Sequence, residues 1–485
     1  MNDCDRFYLD GVWVRPQSSS TVPIINPATE EKIGSVVIGN ADDINLAVSA
    51  ARTAFDRFGK STVQERLTIL QRLAKEYANR YEAIVESITK EMGVPIALSR
   101  GVQAATGTIH IETAISILKN YTFETIQSAT CIVKEPIGVC GLITPWNWPI
   151  NQIACKVFPA IAAGCTVVWK PSELSPISAS ILAEVFDAAE VPAGVFNLVH
   201  GDGQLTGAAL SCHPDVDMIS FTGSTRAGAE ISRRAASTVK RVTTELGGKS
   251  ANILLDDPKF GEGVELCTTL LMVNSGQSCA APTRLLVPQS RMEEAEKIAA
   301  SVAGSAVIGH PNEENVTLGP LANKNQFNKV QKMIQTGISE GAVLICGGID
   351  RPKDLAKGYF VKPTIFSDVK NSMEIARQEI FGPVLCIIPY NDEEDAIRIA
   401  NDSDYGLSGY VYANDHSQAI SIARRLRTGS VFINGADIDP MAPLGGFKHS
   451  GNGREWGVAG LEEYLETKSL IGFKQSSDSD GISLT

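Results

Sequence analysis

The stretch Val139-Cys140-Gly141-Leu142-Ile143-Thr144-Pro145-Trp146-Asn147-Trp148-Pro149 decides how this chain is read, because an apolar run passes directly into a proline-bounded turn. Short apolar runs recur at 166–169, 196–199 and 218–221, separated by helix-like segments rich in Ala, Ile and Leu. Such alternation predicts βαβ units and a parallel sheet. Ligands bind these sheets beyond the carboxyl ends of the strands. The functional expectation therefore falls on the residues just after each run: 145–149, 170–173, 201–203 and 222–224.

Outward from this core, a second alternating block runs through 250–255, 285–287, 384–388, 409–412 and 431–434 and predicts a second α/β domain. Upstream, residues 42–120 read as helical: Ala47, Ala50, Ala51, Ala54, Phe55 and Phe58 recur at spacings of three and four, and Thr62 with Glu65 makes a capping box before a long helix. Two or more helices are expected to open the fold. Residues 121–138 are Thr-rich and β-prone, and 468–474 form another short β-like run, so a small third sheet is expected. No internal repeat is present. The last dozen residues are polar and low in complexity, as a tail would be.

With 485 residues, 44% hydrophobic and 20% charged, the chain can build two or three domain cores without staples. A formal charge of −12 argues against a nucleic-acid or anionic-membrane partner, and the densest basic pairs, Arg233-Arg234 and Arg424-Arg425, read as solvated helix faces. The ten cysteines show no CxxC pair and no regular spacing, so neither a metal site nor a disulfide framework is indicated. A reducing compartment fits, and without a basic n-region, an apolar leader core or a membrane-length apolar window, a cytoplasmic location is expected.

Three segments carry chemistry. Val273-Asn274-Ser275-Gly276-Gln277-Ser278-Cys279-Ala280-Ala281-Pro282 places a thiol in a small-residue loop after an apolar helix-like run. Glu245-Leu246-Gly247-Gly248-Lys249-Ser250 sets a carboxylate beside two glycines, and the 144–149 turn offers the Asn147 amide. Nucleophile, base and oxyanion donor are the roles that covalent attack on a carbonyl needs. Each residue alone also has a plain reading, since most cysteines are core fillers.

A nucleotide site is suggested separately. Gly201, Gly203 and Gly207 form a GxGxxxG after a strand, one residue longer than the dinucleotide fingerprint and equally readable as a bare turn. Phe221-Thr222-Gly223-Ser224-Thr225 brings glycine and hydroxyls to a predicted helix start, a natural pyrophosphate site. In the loop Lys170-Pro171-Ser172-Glu173, the carboxylate would accept from ribose hydroxyls and repel a 2′-phosphate, favouring NAD over NADP; an exposed loop pair is the alternative.

The ordered motifs TPWNWP (144–149), KPSE (170–173), FTGS (221–224), ELGGKS (245–250), GQSC (276–279), EIFGPV (379–384) and PLGGFKHSGNGREWG (443–457) together resemble the aldehyde dehydrogenase superfamily, over nearly the whole chain. The resemblance implies a Rossmann-like NAD-binding domain (1–119 and 139–246), an α/β catalytic domain (247–450), a small β oligomerisation sheet (120–138 and 465–475) and a polar tail (476–485). It implies that Cys279 attacks the aldehyde, that Asn147 and the Cys279 N–H hold the oxyanion, and that Glu245 activates the water that hydrolyses the thioester. Lys156 and Glu455 match proton-relay positions, although a structural ion pair would read the same way. Cofactor contacts fall on Ile143, Thr144, Trp146, Lys170, Ser172, Glu173, Gly203, Phe221, Gly223, Ser224, Leu246, Gly247, Glu379 and Phe381. The aldehyde tunnel falls on Trp148, Gln152, Cys155, Ser278, Ala280, Ile438 and Met441.

None of those tunnel residues is basic, so a neutral, medium-sized or aromatic aldehyde is expected, with Trp148 as a stacking face. A semialdehyde dehydrogenase of a catabolic pathway is the alternative. Rival reactions are a cysteine esterase or thioesterase, which leaves EIFGPV and KPSE without a task, and a CoA-acylating dehydrogenase, against which Glu245 argues. A non-enzymatic NAD-binding protein would not need the intact thiol and base. A homodimer or homotetramer follows from the resemblance.

Overall fold

The computed structural model describes residues 3–17 and 19–473. Its first sheet has eight strands, and five parallel ones form its centre in the order Phe196–Leu198, Thr166–Lys170, Val139–Ile143, Met218–Thr222, Arg241–Glu245. The chain winds from Val139–Ile143 outward to one side, then returns to the other. The switch point therefore lies between Val139–Ile143 and Met218–Thr222, where the crevice of a doubly wound sheet opens. Helix Pro149–Ala163 leaves the proline-bounded turn with Pro at its first position and ends at Gly164, whose φ of 98° requires glycine.

The second sheet has seven strands: Val343–Cys346, Thr364–Ser367, Val384–Tyr390, Arg284–Pro288, Ala251–Leu254, Ser408–Tyr412 and Ser430–Ile433, all parallel except the first. The small third sheet pairs Glu124–Gln127, Thr130–Pro136 and Leu465–Ile471 antiparallel. The expected capping box is formed: Thr62 Oγ1 accepts from the Glu65 N–H at 3.2 Å and Glu65 accepts from the Thr62 N–H at 2.8 Å, opening the 30-residue helix Val63–Met92. Arg233 and Arg234 both pair with Glu230 on a helix surface.

The sequence reading needs correction at three places. Four strands, Phe7–Leu9, Val12–Val14, Thr21–Asn26 and Glu31–Val37, precede the first helix, so helices do not open the fold. Arg241–Glu245 was not expected as a strand: it lacks an apolar run, and its identity comes from pairing with Met218–Thr222 on one side and Gly451–Asn452 on the other. The last β run is Leu465–Ile471; Lys474 and the polar tail 476–485 lie outside the described residues. Among the described residues, no helix is long and apolar enough to cross a membrane. All ten cysteines are free.

Candidate active site

The thiol loop is held in an unusual backbone. After helix Phe260–Met272, Asn274, Ser275 and Gly276 take φ values of 54°, 56° and 72°, a left-handed run that costs conformational energy. Hydrogen bonds from distant elements hold it there. Asn274 Nδ2 donates to the Asn147 carbonyl at 2.8 Å, Ser275 Oγ to the Gly319 carbonyl at 2.8 Å, and the Ala322 N–H to Gln277 Oε1 at 2.9 Å. Glycine is needed at 248 as well, where a Cβ would come 2.4 Å from the Cys279 carbonyl oxygen. Burial, with the Glu379 and Glu245 carboxylates, pushes the Cys279 thiol up to about 12, while the Ala280 and Cys279 N–H groups pull it down. At neutral pH the resting thiol keeps its proton.

Asn147 is clamped beside this loop. Its Nδ2 donates to the Gln277 carbonyl at 3.0 Å, leaving a second amide N–H, and its own carbonyl also accepts from Gln103 Nε2 at 3.3 Å. Trp148 Nε1 donates to Ser278 Oγ at 2.6 Å, and Tyr410 donates to the Ala280 carbonyl at 2.8 Å.

Glu245 ends its strand with Oε1 buried and unpartnered among the described residues. A Cβ on Gly445 would sit 2.8 Å from that oxygen, so the glycine leaves it room. Burial, reinforced by Glu455, holds the Glu245 carboxyl well above its usual range against the pull of Lys156 and Arg454. Behind it lies a closed network: Lys156 Nζ forms an ion pair with Glu455 Oε1 and donates to Ser220 Oγ at 3.2 Å. Burial opposes the Lys156 charge, but Glu455, Cys155 and Glu245 together outweigh it and raise its proton affinity. Cys155, expected on the aldehyde wall, instead donates to Glu455 Oε2 at 3.1 Å and is buried within this network.

A cavity of about 210 Å³ gathers Trp146, Asn147, Gln152, Gly223, Ser224, Leu246, Gly247, Cys279, Glu379 and Phe381. Ile143, Thr144 and Phe221 are buried at the strand ends beneath it, Thr144 Oγ1 accepting from Trp169 Nε1 at 2.9 Å. Ser224 caps helix Thr225–Ala235 by accepting from the Ala227 N–H at 3.3 Å. Along the same sheet edge, Lys170 Nζ donates to the Gly201 carbonyl at 2.8 Å and lies 3.8 Å from Glu173. Ser172 Oγ accepts from the Leu174 N–H at 3.2 Å, and nothing lies within 4 Å of a Cβ built on Gly203.

Glu379 Oε1 accepts from the Gly248 N–H at 3.0 Å, and a Cβ on Gly247 would come 2.5 Å from Glu379 Oε2. Phe381 takes a φ of 63° and meets Trp146 edge-on at 5.5 Å. Two lining residues escaped the sequence reading. Gln326 Nε2 donates to the Ile380 and Phe381 carbonyls at 3.0 and 2.7 Å, bracing that strained backbone, and Lys329 faces Glu379. Both sit on helix Lys324–Ser339, with no motif to mark them. Ile438 and Met441 are exposed on the 436–443 loop and do not line the cavity. Among the described residues, no cluster of His, Cys, Asp and Glu could hold a metal ion.

A thiol loop set against the carboxyl ends of a doubly wound sheet defines an α/β enzyme built for covalent carbonyl chemistry beside the crevice of that sheet. The aldehyde dehydrogenase family model matches residues 13–470, and the chain belongs to that family as an aldehyde-oxidising oxidoreductase. It is 53% identical over 477 residues to a Pseudomonas 3-succinoylsemialdehyde-pyridine dehydrogenase, covering 98% of this chain and 100% of the relative. A mutant of aldehyde dehydrogenase C from Pseudomonas syringae, solved with NAD+ and octanal, superposes with a TM-score of 0.96 at 50% identity, covering 97% of each chain. A Mycobacterium tuberculosis aldehyde dehydrogenase with NAD+ gives 0.94 at 39% identity, covering 97% of this chain and 98% of the other.

Proposed function

We propose that this protein oxidises a neutral, medium-sized aldehyde with NAD through a covalent intermediate on Cys279. The observation that carries the proposal is the convergence of Cys279, Asn147 and Glu379 on one cavity with Glu245 buried beside it. Cys279 Sγ gives its proton to solvent water and attacks the aldehyde carbon, the carbonyl π pair moves onto the oxygen, and the oxyanion so formed accepts from the free Asn147 N–H and the Cys279 backbone N–H. The bound nicotinamide supplies the acceptor for the hydride lost in forming the thioester. Glu245 then takes a proton from water, the hydroxide adds to the thioester carbon, and the acid leaves as the thiolate reforms. Lys156 and Glu455 pass that proton onward.

The crevice fits the cofactor. Ser224 at a helix N-terminus and Trp146 suit the pyrophosphate, Glu379 the nicotinamide ribose and Phe381 its ring. Lys170, Ser172, Glu173 and the open approach at Gly203 suit the adenosine, with Glu173 repelling a 2′-phosphate. The substrate reading is supported by a cavity lining without a carboxylate clamp beside Asn147 and Gln152 among the described residues, and by octanal bound to the Pseudomonas syringae protein. The Pseudomonas relative, whose name joins a semialdehyde to a pyridine, favours a catabolic semialdehyde carrying an aromatic ring as the second reading.

The first sheet would be the NAD-binding domain, the second the catalytic domain, and the third a dimer or tetramer interface, since Leu470 and Ile471 are exposed on it. Ten free thiols support a cytoplasmic location. The test is NAD reduction across aliphatic, aromatic and carboxylated aldehydes, with Cys279→Ala alongside. Activity lost in the variant supports the covalent route, whereas a preference for succinic semialdehyde over benzaldehyde rejects the neutral-substrate reading.

A further inference from the structure

Both oxygens of the Glu455 carboxylate are occupied, and by different chemistry. Oε1 holds Lys156, while Oε2 accepts only the Cys155 thiol, at 3.1 Å, among the described residues. The Glu455 backbone is fixed as well, exchanging hydrogen bonds with Leu444 at 2.7 and 2.8 Å. A buried carboxylate oxygen stripped of its donor would forfeit its solvation, so a thiol at this point has a task beyond filling space. Cys155 does not line the aldehyde cavity, and its sulfur is too buried to meet substrate.

We propose that Cys155 is a positioning residue for thioester hydrolysis: its thiol anchors Glu455 Oε2, so that the Glu455 charge stays on Lys156 and beside Glu245. The inference rests on Glu245 acting as the base. Glu455 is the largest charged influence on Glu245 after burial, so where that charge sits sets when the base is free. The ionisable groups around the pair are Lys156 on the same helix, Glu245 on its strand, Arg454, His110, and Glu463 with Tyr464.

A thiol is a weak donor, and this gives the proposal a signed test. Cys155→Ser offers the carboxylate a stronger hydrogen bond, holds the Glu455 charge more firmly beside Glu245, and should move the acid limb of the turnover–pH profile up. Cys155→Ala removes the donor, weakens the hold on that charge and should move it down, each by about half a pH unit, or about threefold in rate at fixed pH on that limb. NAD reduction in the first turnover should stay near wild type in both, since that step needs only Cys279 and Asn147. Opposed shifts support the proposal. Shifts in the same direction, or none, overturn it, because a packing role has no reason to distinguish the sign. If the alanine variant does not fold, a serine variant that fails to raise the limb overturns it alone. Glu245→Gln run in parallel separates the two readings: full turnover in that variant sinks the base assignment itself, whereas lost turnover with unmoved Cys155 variants sinks only the role of Cys155.

Discussion

The wall of the cavity and the exposed 436–443 loop are built in opposite ways. Asn147 and the Cys279 loop are bound by side chains and backbone groups from several elements, including Gln103, Asn274, Gly319 and Ala322. Ile438 and Met441 stand 63% and 47% exposed on a loop whose Met441 N–H is bonded at 2.8 Å only to nearby Asp439. Covalent chemistry tolerates little misplacement, so it sits where the backbone is over-determined, even at the cost of left-handed residues. Apolar selection of an aldehyde tail tolerates much more, and a loop can supply it.

This contrast orders the expected effects of substitution. Cys279→Ala should lower the NAD reduction rate by roughly 10,000-fold or more with an unchanged thermal unfolding midpoint; residual turnover within tenfold of wild type would break the scheme. Glu245→Gln should cut steady-state turnover by about 1,000-fold. It should also abolish the acid limb, which in the wild type lies above the ordinary carboxylate value of 4.5 because burial raises this group: the base is active only when deprotonated, so activity falls as pH drops through that raised value. A limb retained in the variant would assign it elsewhere.

Asn147→Ala should cost about 100-fold in kcat/KM, read with one good aldehyde at saturating NAD. Glu173→Gln should shift the NAD-to-NADP preference by about tenfold through loss of repulsion toward the 2′-phosphate, measured as the ratio of the two kcat/KM values. Met441→Ala should change KM for apolar aldehydes by no more than about threefold with kcat intact, as expected for an exposed loop side chain. A substitution on this loop that outweighed Asn147→Ala would reverse the comparison between wall and loop.

Much of the fold was legible because its signals are local. The runs at 139–144, 166–169, 196–199 and 218–221 correspond to strands, and the capping box at Thr62 opens the helix it marked. Arg241–Glu245 was not legible, since its Arg and Thr residues carry no apolar run and only its neighbours make it a strand. Gln326 and Lys329 were missed for a related reason: they occur on an ordinary amphipathic helix, and only packing aims them at Glu379 and Phe381. The family resemblance puts Cys155 on the aldehyde wall, yet its sulfur lies against a carboxylate from the far end of the chain.

The sequence by itself determined the alternating α/β organisation, the family, and the thiol, amide and carboxylate types, because periodicity and motif chemistry are written over a few consecutive residues. Only the tertiary structure decided how they work together. The strain at Asn274 and Ser275, the buried state of Glu245 and the closed Lys156, Glu455 and Cys155 network arise from contacts between distant segments, and desolvation and charge proximity exist only once those segments meet.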